Sequence, residues 1–320
     1  MSPTQTASAR WKTVDTFSPN DLIEALSPDS KWFNGRPQDW IYRGQENADW
    51  TLSPSAFRKN ELLYHPMRAA EPFENWTNAT QTEAELHALR RFFEMADATG
   101  LRLPEDSQGL RLTIRNTRDH WLRKETESIT WPPRELWSLL ALVQHHQVPT
   151  RLLDWTRHSL IAAYFAARPG VERPRYSHMA IWAYNTFPHA LADLTAKMTN
   201  TPNPVEIITA PYADNPNLHA QRGLHMLLNE KPWVVTSAPA ERYDLADRLA
   251  TLGAPLAGTF PLLKFTLPHA CAPALLQKLA VREVNAAMLF PGFPGVVASM
   301  REDDLVTRRL RLAASNDSPE

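Results

Sequence analysis

The chain has 320 residues, 43% of them hydrophobic and 22% charged, with 27 prolines, 10 glycines and a formal net charge of −1. These values exclude a disordered or fibrous polypeptide, and they give no electrostatic reason for non-specific binding to nucleic acid or to an anionic membrane. One cysteine, Cys271, excludes an internal disulfide framework, and with no Cys/His ligand pattern no metal site is expected.

Residues 1–16 are polar and Ser/Thr-rich, without the apolar core of a leader, and are expected as a flexible tail. No stretch approaches the roughly 18 apolar residues of a membrane span, so a cytoplasmic location without membrane association is expected. Ser18-Pro19-Asn20-Asp21 opens a helix through Leu26, with serine as N-cap and proline at the first helical position. Asp39 to Gly44 reads as an aromatic-rich strand running into a glycine turn. The stretch from about 59 to 130 is richer in arginine and glutamate and is taken as a helical insertion, with a helix over Thr82 to Ala98 ended by Gly100.

Leu136, Leu139, Leu140 and Val143 follow the i, i+3, i+4, i+7 spacing of an amphipathic helix, and Pro149 marks a boundary beyond it. A short strand over Thr150 to Leu153 and a helix over Ser159 to Arg168 come next. Strands are then predicted at Met179 to Tyr184, Val205 to Thr209, Leu224 to Leu228, Trp233 to Thr236 and Pro261 to Leu267. Helices are predicted at Pro188 to Met198, Ala240 to Leu252 and Pro273 to Val281. The crossings are too irregular for a doubly wound parallel sheet. The expectation is an α+β domain over 17–310, one mixed and largely antiparallel sheet flanked by helices, followed by a flexible tail over 311–320.

Two segments concentrate polar chemistry. Tyr42-Arg43-Gly44-Gln45, followed by Trp50, Ser53, Ser55 and Arg58, gathers guanidinium groups and hydroxyls around a strand end, and a planar, permanently charged fork suits phosphate or carboxylate. Arg43 either serves a ligand or pairs with an acid such as Asp154 to pin two strands. In the second segment, Gln144 to Thr156, an Arg151/Asp154 pair and Thr156 lie between two apolar helices. Asp154 or Thr156 can equally cap the following helix. His145 and His146, being adjacent, point to different helix faces, and a two-histidine metal site prefers i, i+4 spacing. Glu83/Glu85 and Glu125/Glu127 fall inside the insertion, where a solvated face is the ordinary reading. Arg43, His145, Arg151, Asp154 and Thr156 are expected to share one cleft with Gln221 close by, because buried polar groups need partners and therefore cluster.

Tyr42-Arg43-Gly44-Gln45, His145 with Pro149 to Thr156, Gln221-Arg222-Gly223, and Leu289-Phe290-Pro291 with Gly295 together resemble an FRG domain, over about Asp39 to Met300. Two positions depart from the family's pattern: Gln147 stands where glycine is usual, and His225 where phenylalanine is common. The order of motifs, an Arg-Gly at an early strand end, a strand with a hydroxyl residue entering an apolar helix, then a polar motif on a later strand, is similar to that of ADP-ribosyltransferases. That similarity implies a related core, NAD as substrate and no metal.

On this reading Arg43, Asp154, Thr156 and Gln221 carry the chemistry, while Tyr42, Gly44, Gln45, His145, Thr150, Arg151 and Trp155 join Arg43 in holding the ligand. Arg43 and Arg151 would clamp the pyrophosphate and Thr156 would orient the ribose. The late glutamate of such transferases is absent, with Gln221 at its place and Asp154 or Glu230 as substitutes. The implied activity is an NAD-dependent transferase or glycohydrolase. The alternatives are a nucleotide- or phospholigand-binding module without turnover, and an inert interaction protein whose signature is an ion-pair network. The macromolecular target is not legible in the sequence.

Overall fold

In the computed structural model the described residues are 11–33, 36–64, 71–122, 131–199, 203, 205–210, 212, 215–229, 239–253 and 260–316. Among them seven strands form one sheet: β1 (Lys12–Asp15), β2 (Trp40–Gln45), β3 (Leu152–Thr156), β4 (His178–Asn185), β5 (Val205–Ile208), β6 (Gly223–Leu228) and β7 (Leu262–Pro268). Their order is β1-β7-β4-β2-β3-β6-β5. Only the β1–β7 pairing is parallel; the other five are antiparallel, so the sheet is mixed and largely antiparallel as expected.

The helices are α1 (Pro19–Ala25), α2 (Asn78–Ala98), α3 (Gln108–Leu122), α4 (Trp137–His145), α5 (Ser159–Glu172), α6 (Thr186–Thr199), α7 (Pro216–Ala220), α8 (Leu245–Gly253), α9 (Ala272–Ala280), α10 (Ala286–Leu289) and α11 (Phe293–Asn316). Ser18 accepts from the Asp21 amide while Asp21 accepts from the Ser18 amide, so α1 begins with the capping box its sequence announces. None of the helices in the described residues is long and apolar enough to cross a membrane.

One face of the sheet packs against α5 and α9, burying Tyr42, Ile181 and Phe265 with Tyr164, Leu275 and Leu276. On the other face Leu153, Trp155, Trp182, Tyr184 and Leu224 meet Leu52, Phe57, Leu245 and Leu249. A third cluster joins Leu86, Leu89 and Phe93 of α2 and Leu139, Leu140 and Val143 of α4 to Leu152 and Leu227. Fully burying such a side chain is worth about 1.5–3 kcal/mol, so α2 and α4 are fastened to the sheet by their apolar stripes. The segment read as an insertion thus shares the core.

Helices α2, α5 and α8 differ from their expected ends by four or five residues, and three further differences bear on the tails and the cleft. Residues 12–15, expected in a flexible tail, form β1. A polar four-residue strand carries no apolar alternation to betray it, and what holds it is backbone pairing with β7. At the other end α11 continues through Asn316, past the expected start of a tail at 311. The strand expected over Thr150 to Leu153 runs over Leu152–Thr156, which places Asp154 inside it. The predicted strand at Trp233 to Thr236 lies outside the described residues, as do Glu125, Glu127 and Glu230.

Candidate ligand-binding cleft

Strands β2 and β3 sit side by side at the centre of the sheet yet share one registered pair among the described residues, Tyr42 with Thr156. Beyond it β2 stays with β4 through Gln45 and β3 stays with β6 down to Leu152, so the two strands part. The gap opens into a cavity of about 630 Å³, lined among others by Arg43, Arg58, Gln144, His145, Asp154 and His225. Arg43 bridges it: Nη1 donates to the Asp154 carbonyl at 2.7 Å, replacing a ladder bond that the parting strands cannot make.

Gly44 is required on the other side of β2. A Cβ there would stand 2.0 Å from the Ala162 carbonyl oxygen and 2.7 Å from the Ala166 amide, so the Arg-Gly pair combines a cation facing the gap with the bare backbone that lets α5 pack close. Gly295 plays the same part between α10 and α11, where a Cβ would lie 1.8 Å from the Phe290 carbonyl oxygen.

Helix α4 delivers Gln144 and His145, and it ends in a Schellman motif. The Val148 amide donates to the Val143 carbonyl and the Gln147 amide to the Gln144 carbonyl, both at 3.0 Å. This requires a left-handed residue at 147, and Gln147 has φ 63°. The glycine usual at this place would adopt that conformation without strain.

The electrostatics of the cleft centre on Asp154. His225, opposite it in the β3–β6 register, has Nδ1 at 3.1 Å from Oδ1, and the Gln144 side-chain amide approaches both oxygens at 3.3 and 3.4 Å. Gln144 is itself held by Thr150, whose hydroxyl donates to Oε1 at 2.6 Å. Protein crowding opposes the charge on Asp154, but the hydrogen bond and field of His225, with Arg43 and Gln144, outweigh it and hold the carboxyl below its usual range. Although hemmed in, the side chain is 61% exposed, because it stands on the floor of an open cavity; that access governs how strongly its charge is screened.

Burial pulls the Arg43 guanidinium down, with Asp154 opposing and Arg58 assisting, and it stays cationic at neutral pH. Burial also lowers the His145 imidazole, helped by His146 and His225 and opposed by Asp154. Arg43 Nε and Trp155 Nε1 are buried without a hydrogen-bond partner.

Of the residues singled out in the sequence, Tyr42, Arg43, Gly44, Gln45, His145, Asp154, Trp155, Thr156 and Gln221 line the cavity. Several have polar groups already engaged. Gln45 donates to the Thr51 carbonyl and accepts from Trp182 Nε1. The Thr156 hydroxyl donates to the Gln221 carbonyl and accepts from the His158 amide, a local turn contact; neither it nor Asp154 caps α5, whose N-cap is His158 without a side-chain cap bond. Gln221 donates to the Leu289 carbonyl and keeps Oε1 for other partners.

Two expected members are elsewhere. Arg151 is 1% exposed and bonds Glu85 through Nε, at 2.8 Å to Oε2. Three residues from Asp154 in an extended segment, it points to the opposite side of the chain. Thr150, 1% exposed, lies behind the cavity wall and acts on it through Gln144. Glu85, read as part of a solvated face, is 5% exposed and also accepts from Trp131 Nε1 at 2.6 Å and Gln81 Nε2 at 2.8 Å.

Residues 38–173 match the model of the FRG domain. The likeness to the FRG domain thus holds for that stretch of the chain. The matched region runs from just before β2 to the end of α5, so it contains the Arg43 motif and the whole of His145 to Thr156, and it ends before Gln221 and the Leu289-Phe290-Pro291 segment. No curated protein and no solved structure matches the chain. The FRG region therefore supplies β2, β3, α4 and α5 around the gap, while β6, carrying His225, completes the cavity from outside that region.

His225 is the residue the sequence reading missed as a participant. It was noted as a departure from the family's phenylalanine, and a polar, titratable side chain in an otherwise apolar strand, Gly223-Leu224-His225-Met226-Leu227-Leu228, was the available signal. Among the described residues no group of three or more His, Cys, Asp or Glu side chains is placed to hold a metal ion.

Proposed function

We propose that the cleft binds a dinucleotide of the NAD type and cleaves its N-glycosidic bond, with Arg43 as the principal pyrophosphate clamp and Arg58 as a second cation at the same end. The observation that carries this reading is the parting of β2 and β3 around a cavity of about 630 Å³, within the range of small-molecule sites, whose lining includes both Arg43 and Arg58 and the Asp154–His225 pair. A guanidinium with unpartnered donor capacity suits phosphate oxygens, and an ionised carboxylate suits the positive charge that grows on ribose as the bond to nicotinamide breaks. Asp154 takes the place of the missing late glutamate; Arg151, within its buried ion pair, has no part. Tyr42, Trp155 and Gln221 Oε1 would orient the sugar and base, while Thr156 shapes the floor through its bond to Gln221.

Binding without turnover is the second reading, and it too has a specific support: Nη1 of Arg43 already bonds the Asp154 carbonyl, a role that needs no reaction. Calorimetric titration with NAD, together with an assay for free nicotinamide, separates the two. Arg43→Lys keeps the charge but loses the fork, and NAD binding is expected to weaken by about 1–3 kcal/mol, the usual worth of a charged hydrogen bond. Thermal melts of the variant should stay near wild type. Undetectable wild-type binding at millimolar NAD, or a variant that loses stability and nothing else, would reduce Arg43 to a strut between strands.

A further inference from the structure

We propose that the Asp154–His225 pair is a general base that activates water, so that the reaction of the cleft is hydrolysis of the nucleotide. The proposal rests on the nucleotide reading above and adds to it the acceptor and the residue that deprotonates it. His225 is 5% exposed and lines the cavity from β6. With Asp154 ionised and its Oδ1 3.1 Å from His225 Nδ1, that nitrogen carries the ring proton and Nε2 keeps its lone pair, which makes it the basic end. Among the described residues Nε2 has no hydrogen-bond partner. The carboxylate is fixed in turn by Gln144, and Gln144 by Thr150, so three residues in series orient the imidazole.

This is the arrangement in which a carboxylate sets tautomer and orientation and the far nitrogen moves the proton. The base is recessed in a cavity wall, and once a nucleotide fills the space in front of it the acceptor that still fits is water. In the step, a water oxygen bonds to ribose C1 as the bond from C1 to the nicotinamide nitrogen breaks. That nitrogen takes the electron pair and leaves as neutral nicotinamide, and the water's proton passes to His225 Nε2 and on to solvent. The products are ADP-ribose, nicotinamide and one proton, with no other reactant.

The test uses the full chain with NAD, following calorimetric binding, nicotinamide release and thermal melting in wild type, His225→Ala and His225→Asn. The expected result is NAD affinity within about threefold of wild type in both variants and nicotinamide release lowered by about 10²-fold or more, the usual contribution of a positioned base. Added imidazole should restore part of the rate in His225→Ala but not in His225→Asn, which a packing role for His225 would not produce. Release at the wild-type rate in either variant overturns the proposal, as does a lost rate that imidazole fails to restore, or loss of folding in both variants. Wild type that binds NAD and releases nothing overturns the base while leaving nucleotide binding intact. Absence of NAD binding by wild type is the separate signature of a failed nucleotide reading, and the base falls with it.

Discussion

Two charged clusters begin three residues apart on the same strand segment and have opposite fates. Arg151 and Glu85 are 1% and 5% exposed, and Glu85 accepts from Arg151, Trp131 and Gln81, so the ions are enclosed with their partners in place. Arg43, Asp154 and His225 instead line an open cavity, where the Asp154 side chain is 61% exposed. A cluster enclosed in the core gives a ligand no access. An open cluster with spare donors and acceptors contributes less to folding and is free to bind. Chemical composition alone does not separate the two.

The largest expected effect comes from breaking the enclosed cluster. Glu85→Ala leaves the Arg151 guanidinium buried without its carboxylate and should cost about 3–5 kcal/mol of stability, read from urea unfolding. A loss below about 1 kcal/mol would mean that Arg151 reaches water and that the two clusters are alike.

Gln147→Gly sharpens the comparison by touching neither set of charges. At φ 63° the glutamine backbone is strained, and its replacement should raise stability by about 0.5–1 kcal/mol after the greater flexibility of glycine in the unfolded chain is deducted. NAD binding, if present in the wild type, should not move. A variant less stable than wild type would show that the Gln147 side chain makes a contact that outweighs the strain.

The smallest effect is the pH response of Asp154. Its carboxyl is held below the usual range in the folded protein, so the folded state binds fewer protons than the unfolded one through the carboxylate range. The associated stability is therefore complete at neutral pH and is lost as the pH falls through that lowered value. Because the side chain is 61% exposed, screening limits the contribution to at most about 1 kcal/mol. Unfolding midpoints of wild type and Asp154→Asn should converge as the pH is lowered from 7 toward 3; a gap that widens instead would place the stabilising charge elsewhere.

Much of the architecture was legible because it is local. The α1 capping box, the proline at the start of α9 and the apolar spacing of α4 all lie within one or two helical turns, and the structure has each of them. Strands β4, β5, β6 and β7 fall within a residue of their expected ends, since their apolar runs are bounded by turn residues. The edge strand β1 was missed because pairing with a strand some 250 residues away leaves no mark on a polar tetrapeptide.

The candidate site divides along the same line. Tyr42-Arg43-Gly44-Gln45 and the segment ending in Asp154-Trp155-Thr156 stood out by residue type, and both reach the cavity. Arg151 stood out equally and does not, because alternation along an extended chain turns it away, and that alternation can be applied only once the strand's register is known. The chain by itself determined which residues are costly to bury: Arg43, Glu85, Arg151, Asp154 and His225 must each find either partners or water. Only the tertiary structure decided which found which. Glu85 is brought to Arg151 by the packing of α2, and His225 is set opposite Asp154 by the β3–β6 register, over sequence separations of 66 and 71 residues that no local pattern encodes.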